Sequence, residues 1–495
     1  MKPRAIVVGA GIGGLATALR LACRGYQVRV LEAAETYGGK LGQHREAGHR
    51  FDRGPSLFTM PELLMELEVM VSMDHPGRPA PFEFHTLDRS THYFWEDESE
   101  PLVAWSDTAR FADDVEARWD VPAKSLLEHL DSAAEAFDLT RGVFLEQSLH
   151  ERATYRSPAA WRLLRRAHRL PLFGTLHRNN RQALRHPKLV QLFDRYATYN
   201  GSDPHRAPAM LHVIPHLEHG IGTFLPKKGM RSISEHVAAL AQSMGVDIQC
   251  NTRVKQILHR QGKVTGVLDE HGQTHDAGIV VSNADIHPTY RALLPNLPAP
   301  ERILSQERST SGVIFYWGVK GIHPELHLHN ILFSQDYEAE FANIADQGTP
   351  APDPTVYINI TSKVIPEDAP EGEENWFVLT NVSADPETWT PEAIQDLKKA
   401  VLAKIERTLG FKPNIACEKI LSPQGIQDAT SSWRGALYGA SSNSTTAAFL
   451  RHRNRSTQLS GLYFCGGSVH PGGGIPLCLL GARIVDELVQ AHQPQ

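Results

Sequence analysis

The chain has 495 residues and a formal net charge of −6, with 41% hydrophobic and 21% charged residues. The chain is too long to fold around one simple core, so we expect one two-lobed body or two to three domains. Its net charge gives no reason to expect nucleic-acid binding. Five scattered cysteines without metal-ligand spacing argue against a disulfide framework or a metal site, and no apolar run reaches membrane-spanning length. We therefore predict a cytoplasmic protein without a bound metal, and attachment to a membrane surface stays open.

The first predicted elements are a strand, a helix and a second strand. Residues 4–9 have the apolar character of a buried parallel strand, residues 13–24 carry an apolar stripe at helical spacing, and residues 27–32 form the next strand. This succession of short elements is the opening βαβ unit of a Rossmann-like domain. The sequence thus predicts an α/β fold that begins with a dinucleotide site.

A G-x-G-x-x-G pattern joins the first strand to the helix. Gly9 permits a tight turn, Gly11 lets the backbone approach a pyrophosphate, and Gly14 lets the helix pack closely on the strand. The helix start then offers free N–H groups and a partial positive charge to the phosphates. Glu32 ends the second strand, where a carboxylate accepts both ribose hydroxyls and repels a 2′-phosphate. We therefore predict FAD or NAD rather than NADP.

Two further segments favour FAD. The pair Gly38-Gly39 would let the backbone pass an extended cofactor, and Lys40 is a candidate to pair with phosphate. Near the C-terminus, a predicted strand at 461–465 enters a glycine-rich loop, and Pro476 begins a helix. Small residues in that loop would let main chain lie against a flavin ring, with the helix dipole aimed at the N1–C2=O edge.

The middle of the chain predicts a discontinuous domain. A helix at 232–244 leads to strands at 246–250, 253–258, 263–269 and 278–283, with a turn at 270–273. Two later strands, at 355–361 and 376–382, flank an acidic, proline-containing stretch that we interpret as a plain surface loop. The predicted FAD-binding domain comprises residues 1–75, 226–296 and 447–495. The predicted substrate and membrane-associated domain comprises residues 76–225 and 297–446.

Several segments together resemble one enzyme family. The N-terminal fingerprint, Asp52-Arg53-Gly54-Pro55-Ser56 and the segment from Gly466 to Pro476 are similar to the FAD-dependent carotenoid desaturases of the phytoene-desaturase type. The same resemblance holds for residues 199–204, 207–209, 216–218 and 226–230. Within that family, the residues Ser468-Val469-His470 and Leu477-Cys478 are more similar to the hydroxycarotenoid 3,4-desaturase branch than to the phytoene branch.

The resemblance implies a Rossmann-like FAD-binding domain of the flavin amine oxidase and GDI-like superfamily, with a mixed α+β substrate domain. It implies removal of two hydrogens from a carotenoid, with N5 of FAD taking a hydride. A cation delocalised over a polyene loses its proton readily, so a dedicated acid–base residue is not required. The catalytic candidates are Glu218, with an ion-paired carboxylate as the alternative, and His470, with a loop hydrogen bond as the alternative. The predicted FAD-binding residues are Gly9, Ala10, Gly11, Ile12, Gly13, Gly14, Glu32, Lys40, Gly54, Pro55, Ser56, Leu57, Val254, Gly466, Gly467, Gly474, Ile475 and Pro476.

A basic insertion stands out in this acidic chain. Residues 151–190 contain ten Arg and Lys residues and one acidic residue. Apolar residues are interleaved with them, namely Trp161, Leu163, Leu164, Leu170, Leu172, Phe173 and Leu176. Such a segment suits an anionic headgroup region, where each cation contributes roughly 1 kcal/mol. We therefore predict peripheral association with the inner face of the cell membrane, and the alternative is a solvated basic helix face.

Other functions remain open from sequence. A phytoene- or lycopene-type desaturase, a carotenoid isomerase and a flavin amine oxidase share parts of the pattern. A non-catalytic alternative is a lipid escort protein of the GDI type, although an escort needs no pyrophosphate site.

Overall fold

The computed structural model describes residues 2–344 and 350–493 and contains two main sheets. The strands are β1 (Arg4–Val8), β2 (Gln27–Leu31), β3 (Gln43–Glu46), β4 (His49–Asp52), β5 (Phe84–Thr86), β6 (Arg89–Phe94), β7 (Leu102–Trp105), β8 (Phe224–Pro226), β9 (Asp247–Gln249), β10 (Val254–Arg260), β11 (Lys263–Asp269), β12 (Thr274–Asp276), β13 (Ile279–Ser282), β14 (Ser311–Lys320), β15 (His329–Leu332), β16 (Val356–Ile360), β17 (Glu373–Val382), β18 (Asn414–Leu421) and β19 (Leu462–Phe464).

Helices cover both sheets. They are α1 (Ile12–Cys23), α2 (Glu62–Val69), α3 (Thr108–Trp119), α4 (Ala123–Phe144), α5 (Pro158–Arg166), α6 (Leu176–Leu184), α7 (Pro187–Asp194), α8 (Arg231–Ser243), α9 (Ile286–Pro288), α10 (Glu301–Leu304), α11 (Tyr337–Ala342), α12 (Pro391–Leu409), α13 (Pro423–Thr430), α14 (Thr445–Phe449) and α15 (Ile475–His492). Within the described ranges, no helix combines the length and apolar character needed to cross a membrane.

The first sheet is parallel and has the strand order β19-β13-β1-β2-β9. Its strands come from three distant parts of the chain, and α1 packs against both α8 and α15. The predicted βαβ opening is confirmed, with β1 and α1 each beginning or ending within one residue of expectation. The antiparallel strands β10, β11 and β12 form a separate small sheet, with the predicted turn between β11 and β12.

The second sheet has seven strands in the order β18-β14-β17-β16-β15-β6-β7, antiparallel except for the pair β15 and β6. Side chains alternate between its faces. Phe315 and Trp317 point toward α12 and form a buried cluster with it. Ile314, Phe377 and Leu379, on the opposite face, line a cavity. The mixed α+β character expected of the substrate part is confirmed, and every strand of each main sheet lies in the predicted domain's ranges. The domain division itself stays a prediction.

The interpretation of residues 366–375 as a plain surface loop was partly wrong. Asp368 within it is buried and forms an ion pair with the buried Arg50. Strand β17 begins at Glu373, and the buried Glu374 accepts hydrogen bonds from His323 and Lys363. The acidic composition of this stretch predicts that Asp368 and Glu374 are solvated. Cations from other parts of the chain pair with both carboxylates and allow them to be buried.

Candidate functional site

A cavity of about 390 Å³ lies between the two main sheets. One wall comes from the parallel-sheet part, through Gly54–Leu57 and Gly473–Leu477. The other comes from the seven-stranded sheet and from helices α4 and α11, with Phe137, Tyr337 and Tyr357 among its aromatic residues. The lining is mostly apolar and includes no Asp or Glu among the described residues. It is suited to a hydrophobic ligand.

The turn after β1 has three positions, Gly9, Gly11 and Gly14, at which a larger residue would be strained or would clash. A Cβ on Gly14 would lie 2.2 Å from the carbonyl oxygen of Gly9, and Gly9 has φ +95°. A Cβ on Gly11 would lie 2.8 Å from Nδ2 of Asn283. Ala10, Ile12 and Gly13 complete this turn at the start of α1.

Sequence reasoning missed Asn283, which closes this turn from the neighbouring strand β13. Its Nδ2 donates to the Gly9 carbonyl at 3.5 Å, and its buried Oδ1 has no hydrogen-bond partner among the described residues. Gly466 also packs against it, since a Cβ there would lie 2.9 Å from this Oδ1. An orphaned buried acceptor beside a bare glycine cradle fits a site that awaits a polar ligand. The signal available was its position as the last residue of the predicted strand at 278–283.

Glu32 lies at the same turn. Its Oε2 accepts from the N–H of Ala10 at 2.7 Å, and its Oε1 accepts from the N–H of Ala34 at 2.8 Å. These bonds aim the carboxylate along the edge where β1 and β2 end, which is where a ribose is expected. Val254 begins β10 close by, and its side chain packs in a buried cluster with Leu31.

The segment around Lys40 joins the turn to the cavity. The N–H of Gly38 donates to the Ala10 carbonyl at 2.9 Å, so Gly38 packs directly against the glycine turn. Lys40 lines the cavity, and its Nζ donates to the carbonyls of Leu437 at 2.6 Å and Ala436 at 3.3 Å. Burial lowers the Lys40 pKa to about 8. Its predicted pairing with phosphate stays a prediction.

Two segments with predicted FAD-binding residues line the same wall of the cavity. Gly54, Pro55, Ser56 and Leu57 form the first segment, and a Cβ on Gly54 would lie 2.3 Å from the Lys40 carbonyl oxygen. The Ser56 hydroxyl is hydrogen-bonded to the Tyr357 hydroxyl at 2.8 Å.

In the second segment, Gly474, Ile475 and Pro476 line the cavity at the start of α15. Gly474 has φ +107° and open space where a Cβ would stand. Gly467 lies behind this loop, since its Cβ would be 3.4 Å from the Cα of Gly473. A flat ring can therefore approach the main chain here and meet the helix N-terminus.

Glu218 is buried behind the cavity wall. It forms an ion pair with Arg195 at 3.3 Å and accepts hydrogen bonds from Tyr196 at 2.7 Å and from Tyr199. Arg195 and Tyr199 line the cavity, whereas Glu218 is not among the lining residues. The ion-paired alternative is therefore the arrangement observed, and Glu218 reaches the cavity through Tyr199 and Arg195 rather than directly. The sequence could not indicate Tyr199, because its partner is set by the tertiary fold.

His470 is buried at the cavity and holds the flavin-side loop in place. Its Nε2 is 2.9 Å from the carbonyl oxygen of Gln147, just beyond α4. Burial lowers its pKa to about 4, so the ring is neutral at pH 7 and Nε2–H donates to that carbonyl. The hydrogen-bonding alternative describes this arrangement, and a catalytic role for His470 stays a prediction.

One cluster of metal-ligand residue types arises from the fold rather than from sequence spacing. His177, Asp194 and His205 meet, with Nδ1 of His177 2.6 Å from a carboxylate oxygen of Asp194. A separation this short is a hydrogen bond rather than two ligands spaced around an ion. The expected absence of metal stays a prediction.

These features define a dinucleotide-binding flavoprotein, and comparison with known proteins agrees. Residues 12–488 match the family described as flavin containing amine oxidoreductase, and the chain belongs to this family. The 1-hydroxycarotenoid 3,4-desaturase of Flavobacterium sp. (strain P99-3) is 47% identical over 98% of this chain and 99% of its own length. The hydroxyneurosporene desaturase of Rubrivivax gelatinosus is 30% identical over 99% of this chain and 93% of its own length.

A solved oxidoreductase from Methanosarcina mazei shares the fold, with a TM-score of 0.65 at 16% identity, over 98% of this chain and 100% of that one. The chain is therefore a flavin-dependent oxidoreductase, and its cofactor is FAD. The glycine turn, the orphaned Asn283 acceptor and the open Gly474 loop fit that cofactor.

Proposed function

We propose that this protein is an FAD-dependent carotenoid desaturase that introduces a C=C bond at the 3,4-position of a 1-hydroxy carotenoid. The observation that carries the proposal is 47% identity, over nearly the whole of both chains, to a relative of that named activity. A phytoene- or lycopene-type specificity is the alternative within the same chemistry, and a more distant relative is named phytoene desaturase.

The cavity supports a polyene substrate on physical grounds. Its apolar walls favour a hydrocarbon over a charged amine, because the described lining offers no carboxylate to pair with an ammonium group. The helix start at Ile475 and the backbone at Gly54–Leu57 would hold the flavin ring at one wall. When bound, FAD supplies the oxidation by accepting a hydride from the substrate. The surrounding side chains exclude water and align the polyene.

Tyr199 and Glu218 together offer the remaining proton a polar route out of this cavity. Tyr199 lines the wall and donates its hydroxyl hydrogen to Glu218. A phenol in this position can take up a proton from the substrate cation as it passes its own proton to the carboxylate. Arg195 fixes the carboxylate behind the phenol through their ion pair. We assign Glu218 a positioning and proton-accepting role that acts through Tyr199.

The surface near the cavity carries exposed apolar and basic side chains, which would let the substrate enter from a membrane. Helix α5 has no buried residue, and the exposed side chains on and after it include Trp161 at 58%, Leu164 at 66% and Phe173 at 91% exposure. Arg162, Arg165, Arg166 and Arg169 are exposed among them. We call residues 158–173 the basic apolar patch. Elsewhere in the insertion, Leu176 is buried and Lys188 is paired with Glu98, whereas Arg178, Arg181 and Arg185 are exposed.

The patch is connected to the cavity by direct packing. Leu163 of α5 packs in a cluster with Met210 and Phe449, and both of these residues line the cavity. A membrane-bound patch would therefore place the bilayer next to a wall of the substrate site. This supports uptake of a water-insoluble substrate by a peripherally bound enzyme.

The test is incubation of the FAD-loaded protein with a 1-hydroxy carotenoid, lycopene or phytoene in liposomes, followed by absorption and mass spectra. We expect a red shift and loss of two hydrogens with the 1-hydroxy carotenoid. Isomerised product with an unchanged hydrogen count would favour an isomerase instead. Binding of the polyene without any conversion would favour an escort protein.

A further inference from the structure

Arg451 is a buried cation without a carboxylate partner. It is 3% exposed and lines the cavity. Its Nη1 donates to the Tyr438 carbonyl at 2.9 Å, and its Nη2 donates to the Ser442 hydroxyl at 3.4 Å. Both partners are neutral, and none of the ion pairs formed by the described residues includes Arg451.

Other buried arginines of this chain behave differently. Arg50 pairs with Asp52 and Asp368, Arg195 pairs with Glu218, and Arg20 pairs with Glu66. An unpaired buried charge is costly to maintain, and proteins usually pair it. The exception at Arg451 therefore indicates that its anion comes from a bound ligand.

The position of Arg451 identifies which part of the ligand is near. A Cβ on Gly472 would lie 3.2 Å from the Arg451 Nε, so the guanidinium touches the loop that leads into α15. The Nε–H has no partner among the described residues, and Gly473, Gly474 and Ile475 line the same cavity. The dinucleotide turn at Gly9–Gly14 is not among the cavity-lining residues. The free donor thus faces the ring end of the flavin site rather than the pyrophosphate end.

The charge persists at physiological pH. Burial, with a smaller contribution from Arg308, lowers the Arg451 pKa to about 10. Arg308 itself pairs with Asp285, whereas Arg451 and the cavity-lining Lys40 each have only neutral partners among the described residues.

We propose that Arg451 is the counter-charge for the reduced flavin ring and stabilises the negative charge that develops at its N1–C2=O edge. This inference rests on the proposed FAD site. A hydride brings two electrons and one proton to the ring, so the ring gains one negative charge unless a second proton follows. A fixed guanidinium stabilises that charge and raises the reduction potential of the bound flavin.

The experiment compares FAD-loaded wild type with Arg451→Met, Arg451→Gln and Arg451→Lys. Reduction potential is measured by spectroelectrochemistry, and sulfite affinity is measured from bleaching of the oxidised flavin, because the sulfite adduct also places negative charge on the ring. Met and Gln are expected to lower the potential and to weaken sulfite binding at least tenfold. Lys is expected to retain most of both. Ser442→Ala, which removes only the neutral partner, is the matched control and is expected to leave both near wild type.

An unchanged potential and unchanged sulfite affinity in FAD-loaded Arg451→Met would overturn the inference. Weakened FAD affinity with an unchanged potential would also overturn it and assign Arg451 to the phosphates. If Arg451→Met or Arg451→Gln does not fold, the comparison of the other neutral variant with Arg451→Lys still tests the inference. Wild type that binds no FAD would instead contradict the proposed function, so the two failures are distinguishable.

Discussion

The backbone N–H of Ala10 donates to Oε2 of Glu32 at 2.7 Å, so the carboxylate that we predict to bind the ribose is held at the glycine turn by the protein itself. A second bond from the Ala34 N–H holds the other carboxylate oxygen. The site is therefore preorganised, and little ordering remains to be done on binding.

Replacing Glu32 with alanine is expected to weaken FAD binding. Loss of a charged hydrogen-bond acceptor costs about 1.5–3 kcal/mol, so Kd should rise about tenfold to 100-fold. Quenching of flavin fluorescence on titration measures this. Glu35→Ala, an exposed carboxylate in the following turn, is the matched control and should bind FAD as wild type does. Equal affinity of the two variants for FAD would contradict the assignment of Glu32 to the FAD site.

Gly474→Ala is expected to abolish FAD loading. The residue has φ +107°, and its Cβ would project into open space at the cavity where we place the ring. Gly245→Ala is the control for backbone strain alone, because Gly245 has φ +84° and also has no neighbour within 4 Å of the added Cβ. The flavin-to-protein ratio after purification measures the effect. Equal flavin content in the two variants would show that strain, and not the ring site, is involved.

Tyr199→Phe is expected to lower kcat about 100-fold, the scale of a lost proton-transfer group. The flavin spectrum and FAD affinity should stay unchanged, because Tyr199 contacts Glu218 and the cavity rather than the glycine turn. Tyr196→Phe removes another hydroxyl bonded to Glu218 at 2.7 Å, from a residue not among those lining the cavity. It should have a much smaller effect. Equal losses in both variants would reduce the role of Tyr199 to structure.

The basic apolar patch is expected to control binding to anionic membranes. Burying Trp161 and Phe173 contributes about 1.5–3 kcal/mol for each side chain that leaves water, so Trp161→Ser with Phe173→Ser should lower liposome binding at least about tenfold. Both side chains are exposed, and the fold should persist. Ile322→Ser changes another exposed apolar residue and is the control. Binding is measured by cosedimentation with anionic and with neutral liposomes. Equal, negligible binding of the wild type to both would contradict the proposed membrane docking.

Stability is expected to fall as the medium becomes acidic. Burial lowers the pKa of His129 to about 3 and those of His212 and His219 to about 4, from an ordinary 6.5. The unfolded chain therefore takes up these protons first, so the stability they contribute is complete above pH 6.5 and is lost as pH falls toward 4. Tm should drop steeply below about pH 6.5. His129→Asn should make that drop shallower, whereas substitution of the exposed His168 should not. An identical slope in both would contradict the assignment.

Local pattern was sufficient to predict the nucleotide part of the fold. Strand β11 matches its predicted ends, and α1, α8 and α15 lie within a residue or two of expectation, because each carries a strong local signal of apolar period, glycine and proline. Gly9 and Gly14 could be assigned because the tight turn and the clash with the Gly9 carbonyl depend on residues close in the chain.

The walls of the cavity could not be predicted in this way. Glu218 meets Tyr199 and Arg195 only after α7 and the segment beyond it have folded, and Asp368 is buried only because Arg50 arrives from β4. Asn283 reaches the glycine turn through the pairing of β1 with β13. Such contacts join residues far apart in sequence, so no local period or spacing reports them.

The central claim is tested most directly by a single turnover without oxygen. FAD-loaded protein is mixed with a 1-hydroxy carotenoid in liposomes, and the flavin and polyene absorption bands are followed together, with product mass determined afterwards. Our account predicts loss of the oxidised-flavin band in step with a red shift of the polyene and a product lacking two hydrogens, one equivalent per flavin. A flavin band that stays oxidised while the polyene is unchanged, together with reduction of the flavin by an amine, would contradict it.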